Sequence, residues 1–294
     1  MSPARRRLLG GTVGLLLALG ACQGRAPGRD ARPESFTALD DRDPAPRRVV
    51  CLVPSATELV FALGAGDRVV GVSAFDDYPP EVTRLPRIGG MTNPSFEGIA
   101  ALRPDAVVGV EGPTDLTALR RLRTLGIRLV IPRVESVAEM LAGVDLLGRL
   151  LHRVPEAAAL RQRIANDLDA VRTRVLGRPR VRTLVVLGRR PLVVAGPGSW
   201  IDEVLTLAGG RNAVTAGGRY PTIPREALAA LGPEAILDLT GHADGAQLGE
   251  ELAGLDVPAV RQHRVTTLSD PMFLRPGPRV AESARQIAAA LHPD

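Results

Sequence analysis

Apolar and polar positions follow two different periods along this chain. Short, mainly apolar runs occur at VVCLV (49–53), RVVGV (68–72), AVVGV (106–110), RLVIP (128–132), TLVVL (183–187), LVVAG (192–196) and AILDL (235–239). Runs of this length, rich in Val and Ile, fit strands buried on both faces. Between them lie longer segments with apolar residues every three or four positions, the period of a helix. Strands alternating with helices predict an α/β fold with mainly parallel sheets.

Part of the pattern occurs twice. Residues 97–108 read EGIAALRPDAVV and residues 226–237 read EALAALGPEAIL, 129 residues apart. An earlier pair keeps the same order: Thr57-Glu58-Leu59-Val60 leading to Gly64, and Asp202-Glu203-Val204-Leu205 leading to Gly209. Two ordered pairs predict two related Rossmann-like lobes, at 47–152 and 179–294. The segment between them, 153–178, contains PEAAALRQRIANDLDAVRTRVLG (155–177). It opens on Pro, closes on Gly and has no internal breaker, so it reads as one long helix bridging the lobes. A single helix in that place predicts a stiff connection with small lobe movements.

The N-terminus departs from this pattern. Arg5, Arg6 and Arg7 precede an apolar stretch, Leu8 to Ala21, of the length of a signal h-region and too short to span a bilayer. It ends in Leu19-Gly20-Ala21-Cys22, which resembles a lipobox in which Cys22 becomes the lipidated N-terminus of an exported protein. The arginines leave Sec and twin-arginine export both open. Residues 23–46 are rich in Pro, Arg, Asp and Ala and poor in apolar side chains, and read as a flexible tether. The expected location is a membrane surface facing the periplasm or the cell exterior.

Charge and cysteine content narrow the function. The formal net charge is +5 and every basic residue is Arg. Without residues 1–46 the balance is about +3, too small for a nucleic-acid binder, and no basic run is interleaved with aromatics. Beyond Cys22 only Cys51 remains, inside an apolar run, so no disulfide framework exists. The four histidines are scattered, and His242 with Asp244 makes a poor ligand set, so no metal site or cofactor is expected.

The stretch PSATE (54–58) is the one place where a nucleophile suggests itself. Ser55 lacks the flanking glycines of a nucleophile elbow, and no phosphate-loop pattern is present. Ser55-x-x-Glu58 fits a capping box instead, which makes Ser55 structural first and pocket-lining second. A membrane-tethered hydrolase is thus the reading from another class, and a sensor or adaptor that binds a partner without transport is a third.

Taken in order, VPSATELVFALG, VVGVSAFDDYPPEV, LPRIGG, NPSFEGIAALRPDAVV, SWIDEVLTLAGGRNAV, YPTIPREALAALGPEAIL and RPGPRVAESARQIAAALHP resemble the cobalamin-type substrate-binding proteins of ABC importers, a family that also holds binders of haem and ferric siderophores. The resemblance covers nearly all of residues 47–293. It implies two α/β lobes joined by one helix, no catalysis, and a large ligand held between the lobes. The expected ligand is a corrinoid, with haem or a ferric siderophore as alternatives. The implied partners are a permease dimer with its ATPase subunits, met by a monomer. Glu97 and Glu226 match the family's two docking glutamates, one per lobe. Phe75, Met91 and Tyr220 fall where the family places cleft aromatics, while Val110 replaces another. Tyr220 is also where haem-binding relatives place a Tyr. Asp270 and Arg275 are the polar candidates of the SDPMFLRPGPR loop, and Trp200 is open between cleft and core.

Overall fold

The computed structural model describes residues 39–40, 42–112, 121–241 and 248–293. The expected signal segment, Cys22 and most of the tether lie outside these residues, as do His242 and Asp244. Residues 43–46, expected as the end of the tether, are fastened to the folded chain: His152 Nε2 lies 2.9 Å from the Asp43 carbonyl, and Arg128 Nη1 donates to that of Pro44 at 2.9 Å.

Four short strands form the first sheet: β1 (Val49–Cys51), β2 (Val69–Gly71), β3 (Ala106–Val108) and β4 (Arg128–Val130). All neighbours are parallel, in the order β2-β1-β3-β4. Every residue of β1 and β3 is buried, which is why these strands read as unbroken apolar runs. The helices α1 (Pro54–Ala62), α2 (Phe96–Ala101) and α3 (Val137–Leu150) accompany this sheet.

The second sheet holds β5 (Val181–Arg189), β6 (Leu192–Val194), β7 (Gly210–Asn212), β8 (Ala235–Asp238) and β9 (Val265–Thr267). On one edge β5 pairs with β8, and β9 lies outside β8. Along its other edge β5 pairs first with β7, parallel, and then with β6, antiparallel. With the β6 hairpin set aside, the order β7-β5-β8-β9 repeats that of the first sheet. The sequence repeat is therefore a repeat of topology. In the second half α5 (Trp200–Leu207) and α6 (Ala227–Leu231) stand where α1 and α2 stand in the first.

Helix α4 (Val154–Val175) joins the halves and spans about 33 Å. Pro155 opens it, and Gly177, at φ +78°, turns the chain away after it. Its buried residues Ala157, Leu160, Ile164, Leu168 and Val171 share one face. That face packs on α3 and on the last helix, α9 (Val280–Leu291), which follows the short helices α7 (Leu248–Glu251) and α8 (Pro258–Arg261). One continuous core results, running from β1 through α3 and α4 to Trp200, Leu205 and Ile287. A second cluster covers the opposite face of the second sheet, where Leu184, Val186 and Ile236 alternate with Val185 and Leu237 of the main core.

Local expectation and structure differ at PSATE. Pro54 takes the first helical position, for which its fixed φ and missing N–H suit it. The cap therefore moves back to Val53, which has no capping side chain. Ser55 sits inside α1, and Glu58 is buried and engaged elsewhere. Serine caps do form at Ser136, accepting from Glu139 N, and at Ser199, accepting from Asp202 N.

Candidate ligand cleft

The carboxyl ends of the parallel strands of both sheets open on a common cavity of about 430 Å³. The first half contributes Val53–Ser55 after β1, Phe75 and Met91 from the segments after β2, Val110 and Glu111 after β3, and Val134 and Glu135 after β4. The second contributes Leu187 of β5, Trp200 and Ile201 of the first turn of α5, Tyr220, and the segment Pro271–Pro276. This is where ligands sit in open α/β sheets, outside the carboxyl edge.

The lining is mostly apolar. Phe75 is 56 %, Tyr220 47 % and Leu274 45 % exposed, so three large side chains face the open space instead of the core. Trp200 resolves its open reading in both directions: its indole is buried in the main core and also borders the cavity. Val110 lines the cavity as well, with an aliphatic surface. Ser55 lies at the floor, almost fully buried.

The charged groups of the lining are spoken for. Arg275 donates to both Asp77 oxygens, at 2.5 and 3.2 Å, to the Phe75 carbonyl at 3.1 Å, and to Glu58 Oε1 at 3.2 Å. Burial works against the Asp77 carboxylate, but hydrogen bonds and charge from Arg275 outweigh it and hold this carboxyl below the usual range. Glu111 is paired with Arg133 at 3.5 Å, and Glu135 with Arg219 at 3.1 Å. The second of these pairs crosses the cleft. Burial, and then the Glu135 charge, push the Tyr220 phenol up, so its hydroxyl stays protonated at neutral pH.

Of the residues expected in the cleft, Ser55, Phe75, Met91, Tyr220 and Arg275 line this cavity and Asp270 does not. Asp270 precedes a short 3₁₀ turn over Pro271–Leu274, and its carboxylate folds back to accept from Met272 N at 2.8 Å and to pair with Arg279 at 3.3 Å. Glu97 and Glu226 stand away from the cavity, both exposed, at the first turn of α2 and the start of α6. Neither forms an ion pair among the described residues. Their places in the two repeats correspond. Glu111 and Glu135 were not foreseen, although each follows shortly after a strand that was.

Under Phe75 lies a buried carboxyl. Asp76 Oδ2 accepts from Ser73 Oγ at 2.5 Å, and its Oδ1 meets no hydrogen-bond donor. Burial dominates and raises the pKa of this group. Cys51, fully buried nearby, is likewise pushed up, first by burial and then by Asp76, and is an inert thiol.

Residues 49–271 match the family model described as periplasmic binding protein. The chain is 32 % identical over 251 residues to a vitamin B12-binding protein of Salmonella paratyphi A, covering 83 % of this chain and 90 % of that one. It is 28 % identical over 257 residues to an uncharacterized ABC transporter substrate-binding lipoprotein, YvrC, of Bacillus subtilis, covering 85 % and 81 %. Among solved structures, the apo form of the periplasmic heme-binding protein RhuT from Roseiflexus sp. RS-1 superposes with a TM-score of 0.75 at 30 % identity, covering 83 % and 97 %.

Proposed function

This chain belongs to the periplasmic binding protein family, and we propose that it is the solute-binding lipoprotein of an ABC importer that captures a corrinoid in the cleft between its lobes. The work is capture and release, with no chemistry on the ligand. Cys22 carries the lipid, the residues from 23 up to the fastened Asp43 form the tether, and the site faces the periplasm or the cell exterior. No helix among the described residues is long and apolar enough to cross a membrane. Glu97 and Glu226 offer one exposed carboxylate from each repeated half to a two-fold permease, which fixes register and steers encounter.

The observation that favours a corrinoid is the pairing of every charged side chain among the described lining residues. A corrin ring carries neutral amide side chains around an apolar body, which suits a cavity with aromatic and aliphatic walls and no unspent cation. Haem propionates or a catecholate siderophore bring several negative charges. Here they would meet Glu111 and Glu135, and the only guanidinium among the described lining residues, Arg275, is already held by Asp77 and Glu58. The similarity to heme-binding RhuT supports haem as the second reading, with the Tyr220 hydroxyl as the group that would meet the iron.

Isothermal titration of the purified chain with cyanocobalamin and, separately, with haemin tests this. Tight one-to-one cobalamin binding with weak haemin binding is expected. Tight haemin binding with a tyrosinate-type spectrum, absent in Tyr220→Phe, would replace the corrinoid by haem.

A further inference from the structure

The two glutamates that recur at the same point of the repeat, Glu58 on α1 and Glu203 on α5, both reach into the opposite half of the molecule. Glu58 is only 2 % exposed. Its carboxylate accepts from Arg279 in fork geometry, Nε to Oε2 at 2.8 Å and Nη2 to Oε1 at 2.7 Å, and from Arg275 at 3.2 Å. Both arginines lie in the segment that leads from β9 into α9, so they belong to the second half. Arg279 also rests on the ring of Tyr78, 4.3 Å from its centroid, and Arg275 grips Asp77, both in the first half. From the other side, Glu203 Oε2 accepts from the backbone N–H of Val137 at 2.8 Å. Val137 is the first residue of α3, so Glu203 satisfies a free amide at a helix start of the first half.

We infer that Glu58 and Glu203 are a reciprocal pair of interlobe clasps that hold the cleft at one width, and that Glu58 is a positioning residue for Arg275 in its wall. Three geometric facts carry this. The two helices are equivalent in the repeated topology, and each sends its glutamate outward from its own half. Both helices begin at the cavity, so whatever fixes them fixes the cavity's sides. The Glu58 link is dry and forked, a geometry that tolerates little displacement. The third link across the cleft, Arg219–Glu135, is between side chains 49 % and 31 % exposed, and a pair so wetted holds little. The clasps stand on the fold alone; only their effect on ligand release rests on the cleft being the ligand site.

The test measures lobe separation directly. Nitroxide labels on Glu81→Cys and Ala253→Cys, exposed positions in the two halves, are placed in the full chain carrying Cys22→Ser; Cys51 is buried and stays unlabelled. Pulsed dipolar spectroscopy without ligand should give one narrow distance, which broadens in Glu58→Gln and in Glu203→Ala, a change that leaves the Val137 amide with no side-chain acceptor. Cyanocobalamin should then leave Glu58→Gln about tenfold faster, with its association rate within about twofold of the parent's. Rigid lobes in both folded variants, with the distance as narrow as in the parent, would overturn the inference. If Glu58→Gln does not fold, Glu203→Ala, on a side chain that is only partly buried, decides by the same measurement. If the parent itself ignores cyanocobalamin, the corrinoid reading fails and the distance distribution still decides the clasps.

Discussion

A single methyl group at Gly196 should damage the cleft without touching its lining. Gly196 follows β6, and the chain from Gly217 to Thr222 returns alongside it. Gly196 N donates to the Arg219 carbonyl at 2.7 Å, and Val194 N to that of Pro221 at 3.1 Å. This seam holds Tyr220 at the cavity and Arg219 against Glu135. A Cβ at Gly196 would lie 2.0 Å from the Gly218 carbonyl oxygen and 2.9 Å from Pro221 Cδ, where real Cβ contacts stay beyond 3.0 Å. The returning segment must retreat by about 1 Å, because what it meets is backbone and cannot rotate aside. Overpacking of this kind costs about 1–3 kcal/mol. In a chain of this size each kcal/mol lowers Tm by about 2–4 °C, so Gly196→Ala should melt about 2–12 °C below the parent. Tyr220 and Arg219 move with the segment, and a shift near 1 Å in an aromatic contact should weaken cyanocobalamin binding about tenfold or more. Differential scanning calorimetry and titration calorimetry check the two effects separately. A variant that melts within 1 °C of the parent (about 0.3–0.5 kcal/mol) and binds as tightly would show that the seam does not set the position of Tyr220.

Three further outcomes follow from groups away from the lining. Asp76 is raised by burial, so between the ordinary carboxylate range, about 3.9, and its higher folded pKa, the folded chain keeps a proton that the unfolded chain releases. Its contribution to stability therefore falls as pH rises through that window, and Asp76→Asn should flatten the pH dependence of the urea midpoint; a steeper slope would contradict this. Asp238, fully buried, holds the Arg189 guanidinium at 2.6 Å with only 7 % of that side chain exposed. Arg189 keeps Glu251 at 3.1 Å as a second partner, so Asp238→Ala should cost about 1–3 kcal/mol by urea unfolding, the loss of one buried charge-assisted hydrogen bond, and a variant as stable as the parent would refute that account. In proteoliposomes bearing the cognate permease, Glu97→Ala with Glu226→Ala should abolish uptake with ligand affinity unchanged; a fall in affinity would remove these two residues from the docking role.

The seven apolar runs read from the sequence all contain strands, because strands that are largely buried on both faces, six of them in parallel pairing and β6 antiparallel, leave few polar positions to confuse the pattern. The two strands that were missed are edge strands. In β7, Gly210-Arg211-Asn212, the pairing with β5 is made by the backbone, and the side chains carry no apolar signature. In β9 all three residues are only half buried. The bridging helix was legible to within two residues at its C-terminal end, since Pro155 and Gly177 are local signals. The serine at PSATE misled because a capping box and a proline-opened helix share the same letters. What engages Glu58 lies 217 and 221 residues further on, and no local pattern encodes that. For Glu111 and Glu135 a usable signal existed: both follow the carboxyl ends of recognised parallel strands, where a ligand edge is expected. The fate of Asp270 depended on a single 3₁₀ turn, too short to be read in advance.

Trp200 is the only indole in the chain, and it sits in the wall of the cavity. The ultraviolet emission of the whole protein is therefore the emission of its cleft. A ligand that absorbs in the blue, or that merely strips water from around Tyr220 and Leu274, changes this light with no label attached. The protein carries its own optical gauge, which reads occupancy in microlitre volumes and on the millisecond scale of a stopped-flow mixer.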